Sequence, residues 1–182
     1  MLLDTPVCDF GWKAPDFDLM DPDGVHHRMS DHLGDKGLLV AFICNHCPYV
    51  QAIADRLAAD TAALLADGIG VLAVMSNDYS LVSADSPPRM KQFAERHGFP
   101  FPYLVDEGQA VGRAWGAVCT PDFFGLNAAG ELQYRGRLDD RGMGDAGNRT
   151  PELLNAMRQV ATTGKGPTRQ VPSMGCSIKW SG

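Results

Sequence analysis

Two apolar segments and the helical pattern between them set the plan of this chain. Residues 38–43 are entirely apolar and have the length of a buried strand. Across residues 50–65, apolar side chains recur three and four positions apart, which predicts an amphipathic helix. Residues 69–75 form a second buried strand after Gly68, a residue type that commonly ends helices. A strand, a helix and a strand with short connections predict a parallel, right-handed βαβ unit.

Weaker patterns on both sides of this unit complete an α/β domain. Alternation in residues 14–29 around the turn at residues 21–24 predicts an N-terminal β-hairpin. The other predicted elements are a hairpin turning at residues 127–130, a strand at 101–106, and helices at 86–97, 110–116 and from about residue 150. We therefore predict one domain over residues 1–163, followed by a C-terminal tail over residues 164–182.

Composition and charge narrow the functional classes. The chain has 182 residues, of which 45% are hydrophobic and 21% charged, as in soluble proteins with a single core. Its formal net charge of −6 argues against general nucleic-acid binding. No segment approaches the ~20 apolar residues that span a bilayer, so we expect no membrane partner. Residues 1–6 lack the features of a signal peptide, and we expect a cytoplasmic protein in a reducing compartment.

A Cys-x-x-Cys pair lies where the first buried strand meets the helix. Cys44 and Cys47 occupy this junction, and we expect the first sulfur near the helix N-terminus. Free backbone N–H groups and the helix dipole favour a thiolate there. A stabilised thiolate beside a second thiol is a dithiol/disulfide redox site. His46 lies between the cysteines, where its imidazolium would stabilise a Cys44 thiolate; the alternative is a solvent-facing linker residue.

The order of these features resembles that of the thioredoxin-like redoxins. The similarity extends over residues 14–163 and is greatest to the branch of alkyl hydroperoxide reductases and thiol-specific antioxidant proteins. Residues 42–50, 119–124 and 175–180 carry it, and they are similar to an uncharacterised peroxiredoxin-like subgroup. The resemblance implies a thioredoxin-like α/β fold: a central mixed β-sheet flanked by helices, with an N-terminal β-hairpin extension and a C-terminal tail.

The resemblance also implies a thiol–disulfide oxidoreductase with defined site residues. Cys44 would attack a substrate disulfide, and Cys47 would resolve the mixed disulfide. Pro121 would follow a cis peptide bond, so that its loop packs against the cysteines and presents the Thr120 backbone to an extended substrate. Asn45 is assigned to substrate binding with these two residues. No organic cofactor is expected, because electrons would come from a dithiol partner; protein disulfides are the expected substrates, and a homodimer is one possible assembly.

Two departures from related families affect this assignment. Thioredoxins carry Trp before the first cysteine and a buried acid in the preceding strand, whereas this chain has Ile43 and only apolar residues there. Proton handling at Cys47 would therefore use another group or water. Peroxiredoxins have their peroxidatic cysteine where Cys47 lies, but Cys44 replaces their hydroxyl residue and Pro121 falls near their peroxide-polarising arginine. A thiol-dependent peroxidase using Cys47 is accordingly the second candidate.

The remaining cysteines leave several interpretations open. Cys119 directly precedes the Thr-Pro pair and is a third redox thiol, a ligand or a small buried filler. Cys176 lies in the tail, where it resolves an oxidised partner or packs back on the domain. Cys8 has no informative context and is expected to be inert.

Two non-redox functions complete the alternatives. Cys44, His46, Cys47 and Cys119 are metal-ligand types, and a structural zinc site takes four ligands. Because the chain has no second Cys-x-x-Cys and no spaced histidine pair, we expect no metal. The last alternative is a non-catalytic thioredoxin-like module whose cysteines are vestigial.

Overall fold

A mixed seven-stranded sheet forms the centre of the structure, a computed structural model that describes all 182 residues. The strands are β1 (Leu2–Asp4), β2 (Asp18–Met20), β3 (His26–Arg28), β4 (Leu38–Phe42), β5 (Gly70–Met75), β6 (Tyr103–Val105), β7 (Cys119–Thr120), β8 (Asp122–Leu126), β9 (Leu132–Tyr134) and β10 (Met174–Ser177). The helices are α1 (Met29–His32), α2 (Pro48–Ala66), α3 (Pro87–His97), α4 (Ala110–Trp115) and α5 (Glu152–Thr163). None of them is both long enough and apolar enough to cross a membrane.

The central sheet has the order β3-β2-β6-β5-β4-β8-β9 and contains the predicted βαβ unit. Strand β4 pairs in parallel with β5 and antiparallel with β8, so the mixed sheet expected from the sequence is confirmed. Successive side chains of β4 point to opposite faces, which gives two hydrophobic cores. Helices α2, α3 and α5 cover one core, and α1 and α4 contribute to the other. The cysteine pair directly follows the C-terminal end of β4, in a sheet that is covered on both faces.

The N-terminal hairpin is also confirmed. Strands β2 and β3 pair antiparallel, and β2 joins the central sheet through Met20 opposite Val105. At the turn, the Asp21 carboxylate accepts hydrogen bonds from the backbone N–H groups of Asp23 and Val25. Aspartate is common in turns because its side chain bonds nearby backbone in this way, and the turn could therefore be predicted from the sequence.

Two local features differ from the expectation. Helix α2 begins at Pro48, so its N-cap is Cys47 rather than the first cysteine. Proline is favoured at the first helical position because its missing N–H would have no partner there. In addition, the tail contributes β10 to a small sheet of order β1-β10-β7. The boundary between residues 163 and 164 stays a prediction, but this strand ties the tail to β1 near the N-terminus and to β7 beside the motif cysteines.

Candidate active site

The two motif cysteines lie in the connection between β4 and α2, below the surface. Cys44 is 1% exposed and Cys47 is 0% exposed. Parallel strands β4 and β5 end beside this connection, which is the edge where α/β sheets place their ligands. The sequence thus predicted the place of the pair, although burial of both sulfurs was not expected.

The Thr120–Pro121 peptide bond is cis, as the resemblance implied. Its loop lies directly against both cysteines. The Sγ of Cys47 lies 3.3 Å from the Thr120 carbonyl oxygen, and the Sγ of Cys44 lies 3.3 Å from the Thr120 hydroxyl. One residue therefore contacts both sulfurs through two different oxygen atoms.

A third sulfur reaches the pair from the C-terminal tail. Strand β10 runs antiparallel to β7 with Cys176 opposite Thr120, and this register places the Cys176 Sγ 3.0 Å from that of Cys47. Cys176 is partly exposed, unlike the two motif cysteines. Of the two interpretations left open by the sequence, packing of the tail on the domain is what the structure shows.

The pKa values of the three thiols are pushed in different directions. A hydrogen bond from Cys44 is the strongest of the effects that lower the pKa of Cys47 to about 4, and contacts from Cys176 and Thr120 add to it. The same bond, together with burial and the negative charge of Asp85, raises the pKa of Cys44 well above its usual range. The sequence placed the thiolate at Cys44; the structure favours Cys47, because Cys47 accepts the hydrogen bond from Cys44. Cys47 also occupies the N-cap position of helix α2, where the helix dipole favours negative charge.

Asp85 is the functional residue that the sequence analysis missed. It lies in a 3-10 helix (Ser83–Asp85), its side chain is 0% exposed, and its carboxylate lies 2.5 Å from the His46 Nδ1. This contact raises the pKa of His46. Burial opposes ionisation of Asp85, but hydrogen bonds from His46 and Asn77 hold its pKa below the usual range. The imidazolium therefore pairs with a carboxylate rather than with a cysteine thiolate.

Asn45 has a different environment from the substrate-facing one that was predicted. Its side-chain amide donates to the Ala84 carbonyl oxygen at 3.0 Å and accepts from the Tyr103 hydroxyl at 2.8 Å. Its backbone N–H donates to the Asp85 carboxylate at 2.7 Å. These bonds use both ends of the amide within the protein, so Asn45 holds the cysteine loop in place.

Cys119 and its neighbours form a buried layer behind the cis peptide bond. The Cys119 Sγ lies 3.6 Å from the Pro121 carbonyl oxygen, and burial raises the pKa of this thiol to about 12. Next along the chain, Asp122 pairs with Arg135 at 2.9 Å, and both residues are buried. Cys119 therefore has the environment of a small buried side chain. Cys8 lies at the edge of this layer, near Arg135 and Gln170, and burial raises its pKa to about 11.

A metal could draw ligands from only part of this site. The ligand atoms of Cys44, His46 and Asp85 lie within 4.8 Å of one another. They are three rather than the four of a structural zinc site. In addition, Asp85 already accepts hydrogen bonds from Asn77 and from two backbone N–H groups. The arrangement fits thiol chemistry better than metal coordination.

Comparisons with known proteins find both a relative of named activity and a solved structure of very similar fold. The thiol-disulfide oxidoreductase ResA of Geobacillus thermodenitrificans is 28% identical over 123 residues, which cover 68% of this chain and 66% of ResA. The chain thus spans just under two thirds of the length of that relative. The crystal structure of an uncharacterized conserved protein from Geobacillus kaustophilus is 37% identical, with a TM-score of 0.92 over 100% of this chain and 97% of that one.

The fold and the family follow from two further matches. The thioredoxin domain of a thiol-disulfide oxidoreductase from Bacteroides vulgatus has a TM-score of 0.65 over 86% of this chain and 99% of that one, at 16% identity. This likeness confirms the thioredoxin-like fold. Residues 10–135 match the AhpC/TSA family. With a cysteine pair and a cis-proline loop on this fold, the chain belongs to the AhpC/TSA family.

Proposed function

We propose that this protein is a thiol–disulfide oxidoreductase whose Cys44–Cys47 pair alternates between dithiol and disulfide by exchange with protein or small-molecule thiols. The observation that carries the proposal is the contact of both sulfurs with Thr120 beside the cis peptide bond. Two thiols held together against one residue can close an intramolecular disulfide with little movement. The name of the ResA relative, a thiol-disulfide oxidoreductase, supports the same reaction class.

The pKa directions assign a role to each cysteine. Thiolates, not thiols, attack disulfides, and the pKa of about 4 keeps Cys47 ionised at neutral pH. We therefore propose that Cys47 attacks and that Cys44 closes the disulfide, which reverses the order implied by the resemblance. A low pKa also stabilises the reduced form, and this makes the disulfide more oxidising.

The surrounding residues orient the pair and its substrate. Pro121 lines a cavity and is proposed to face the substrate, as expected from the sequence. The Thr120 backbone, which was also expected to face the substrate, pairs instead with Cys176 of the tail strand β10. His46 and Asn45 are proposed as positioning residues, because their hydrogen bonds lead to Asp85 and its neighbours rather than to open surface. A cavity of about 480 Å³ lies beside Pro121, and Tyr49, Ile53, Leu138, Met143 and Met174 contribute apolar groups to its lining. Such a lining suits apolar side chains of a protein substrate.

The reductant partner is proposed on chemical grounds. A dithiol reductant would return the disulfide to the dithiol, since the exchange needs no organic cofactor. A cytoplasmic location and a homodimer remain predictions. Fractionation of cells and light scattering of the purified protein would test them.

The direct test is disulfide formation at equilibrium. Reduced protein is incubated in glutathione redox buffers, quenched in acid, alkylated and mapped by mass spectrometry. We expect the wild type to form one intramolecular disulfide that includes Cys47, and the double variant Cys44→Ser/Cys47→Ser to form none. Cys8→Ser is the matched control, since Cys8 lies outside the site, and it should behave as the wild type. Wild-type protein that stays fully reduced in oxidised glutathione would refute the proposal.

A peroxidase is the second candidate, and Cys47 is the observation that favours it. Cys47 has a lowered pKa and occupies the N-cap position of α2 directly before Pro48, as the peroxidatic cysteine of peroxiredoxins precedes a proline. Against this candidate, no arginine donates a hydrogen bond to either motif sulfur. Stopped-flow oxidation by hydrogen peroxide separates the two functions. Oxidation at the rate of an ordinary thiol supports disulfide exchange, whereas fast oxidation lost only in Cys47→Ser would establish the peroxidase.

A further inference from the structure

The exposure of the three sulfurs sets the order in which a substrate meets them. Cys44 and Cys47 are 1% and 0% exposed, and β10 lies over them. Cys176, on that strand, is partly exposed. Its sulfur is 3.0 Å from that of Cys47, only about 1 Å more than the ~2.0 Å length of a disulfide bond. A substrate therefore reaches Cys176 before it can reach either motif cysteine.

The tail strand occupies the edge where an extended substrate would pair. The Thr120 backbone lies at this edge, and Cys176 is opposite it in the antiparallel register. The approach is close: a Cβ added at Gly175 would lie 1.8 Å from the Thr120 carbonyl oxygen. Only glycine fits at that distance, because any side chain would push the strand away. The chain thus places its own residues 174–177 where a second polypeptide is expected.

Hydrogen bonds on both sides of Cys176 fix this strand. Before it, the Ser173 hydroxyl donates to the Pro121 carbonyl oxygen at 2.6 Å. After it, the Lys179 backbone N–H donates to the Asn77 side chain at 2.7 Å. Ile178 is buried in one of the two cores. These anchors hold the Cys176 sulfur at the pair rather than leaving it on a loose end.

We propose that Cys176 is a third redox thiol, which forms a disulfide with Cys47 and carries exchange between external thiols and the buried pair. The tail strand occupies the edge of β7 in the position expected for an extended substrate. This proposal rests on the proposed function and names the route by which substrate enters that site.

The exchange steps balance without an added oxidant. The Cys176 thiolate attacks the Cys47 sulfur of the Cys44–Cys47 disulfide; the Cys47–Cys176 bond forms, and Cys44 leaves and takes up the proton that Cys176 has lost. An external thiolate then attacks the Cys176 sulfur, which releases the Cys47 thiolate and leaves a mixed disulfide on Cys176. A second external thiol displaces Cys176 and completes a substrate disulfide. The substrate loses two electrons, the protein gains them, and the reverse sequence reduces a substrate disulfide.

The pKa values of Cys47 and Cys176 fit the second step, in which an external thiolate attacks the Cys47–Cys176 disulfide. A thiol of low pKa leaves fastest, and the pKa of Cys47 is lowered to about 4 by its contacts with Cys44 and Cys176. Burial, together with the hydrogen bond to Cys47, raises the pKa of Cys176 to about 11. An external thiolate that attacks the more exposed sulfur of a Cys47–Cys176 disulfide therefore expels the better leaving group.

The first experiment compares rates of oxidation by glutathione disulfide. Cys176→Ser keeps the size of the side chain, and we expect oxidation of the Cys44–Cys47 pair to slow about ten-fold or more because both sulfurs stay buried. Cys8→Ser, another partly exposed cysteine, should match the wild type. An unchanged rate in Cys176→Ser would overturn the relay while the proposed function stands. A wild type that does not exchange at all would overturn both.

The second experiment distinguishes a relay, in which Cys176 exchanges disulfides with the pair, from a cover, in which strand β10 only shields the pair from solvent. Gly175→Ala pushes the strand away from Thr120, whereas Gly108→Ala adds a methyl group with nothing within 4 Å. A relay predicts slower oxidation in Gly175→Ala, because Cys176 leaves the pair; faster oxidation would show a cover and overturn the proposal. In Cys44→Ser, oxidation should give a mappable Cys47–Cys176 disulfide. A stable glutathione adduct on Cys47 in this variant, with Cys176 still a free thiol, would contradict the proposed Cys47–Cys176 disulfide.

Discussion

Replacing Asp85 with asparagine tests whether one buried carboxylate holds the cysteine loop. One carboxylate oxygen accepts the backbone N–H groups of Asn45 and His46 at 2.7 and 3.2 Å. The other accepts the His46 ring at 2.5 Å and the Asn77 amide at 3.0 Å. The carbonyl oxygen of asparagine can keep the first two bonds, but its NH₂ group would face two donors on the other side.

The cost follows from the two bonds that Asp85→Asn removes. Hydrogen bonds to a charged group contribute about 1.5–3 kcal/mol each, so the free energy of unfolding should fall by about 3–6 kcal/mol. For a protein of this size, about 2–4 °C of Tm per kcal/mol gives a loss of roughly 6–24 °C. Asp23→Asn is the matched control: its ion pair with Lys91 is mostly exposed, and such pairs contribute about 0–1 kcal/mol.

The pH dependence of this cost has a definite sign. The pKa of His46 is raised from 6.5 in the folded protein. Its contribution to the free energy of unfolding is therefore complete below pH 6.5 and is lost as pH rises through the raised value. The pKa of Asp85 is lowered from 3.8, so its contribution is present above pH 3.8 and is lost at lower pH. The difference between wild type and Asp85→Asn should be largest between these two values.

Urea unfolding of fully reduced protein at pH 5 and pH 8 measures both effects. We expect Asp85→Asn to lose more free energy of unfolding than Asp23→Asn at pH 5, and the gap to narrow at pH 8. Equal losses in the two variants at pH 5, or a gap that widens at pH 8, would refute the reasoning.

Two further predictions concern the thiolate and the buried ion pair. Reduced protein should show thiolate absorbance at 240 nm that titrates with a midpoint of about pH 4 and is missing in Cys47→Ser, because the pKa of Cys47 is lowered from 9.0; a midpoint near 9 would contradict the assignment. The reduced wild type should also lose stability relative to Cys47→Ser as pH falls from 9 toward 4. Arg135→Met leaves Asp122 buried without its partner and should cost about 3–5 kcal/mol in urea unfolding. Adding Asp122→Asn should recover part of this loss, and no recovery would contradict the pairing.

The sequence predicted elements whose pattern lies within one short stretch. The apolar run of β4, the periodicity of α2 and the turn after β2 are local signals, and each appears in the structure. The sequence analysis expected the first sulfur near the helix N-terminus, whereas Pro48, a residue type that favours the first helical position, places the N-cap at Cys47. The cis bond before Pro121 came from the resemblance rather than from any pattern in the chain.

The rest of the site depends on contacts between distant residues. Asp85 lies 39 positions from His46, and Cys176 lies 129 positions from Cys47. Nothing local marks Asp85 as buried, because an acid before a helix is usually a cap. Strands β1, β7 and β10 have only 3, 2 and 4 residues, too few for an alternating pattern to be recognised. Tertiary packing alone specifies these features.

The position of β10 so late in the chain has a consequence for biosynthesis. Polypeptides grow at about 5–20 residues per second, so the 129 positions from Cys47 to Cys176 take roughly 6–26 s to synthesise. During that interval the earlier strands can fold while the strand that covers the two cysteines does not yet exist. A nascent chain therefore presents both thiols uncovered, open to cellular oxidants and to the reductants that keep thiols free. The two cysteines therefore become covered only after β10, the last strand of the chain, has been synthesised.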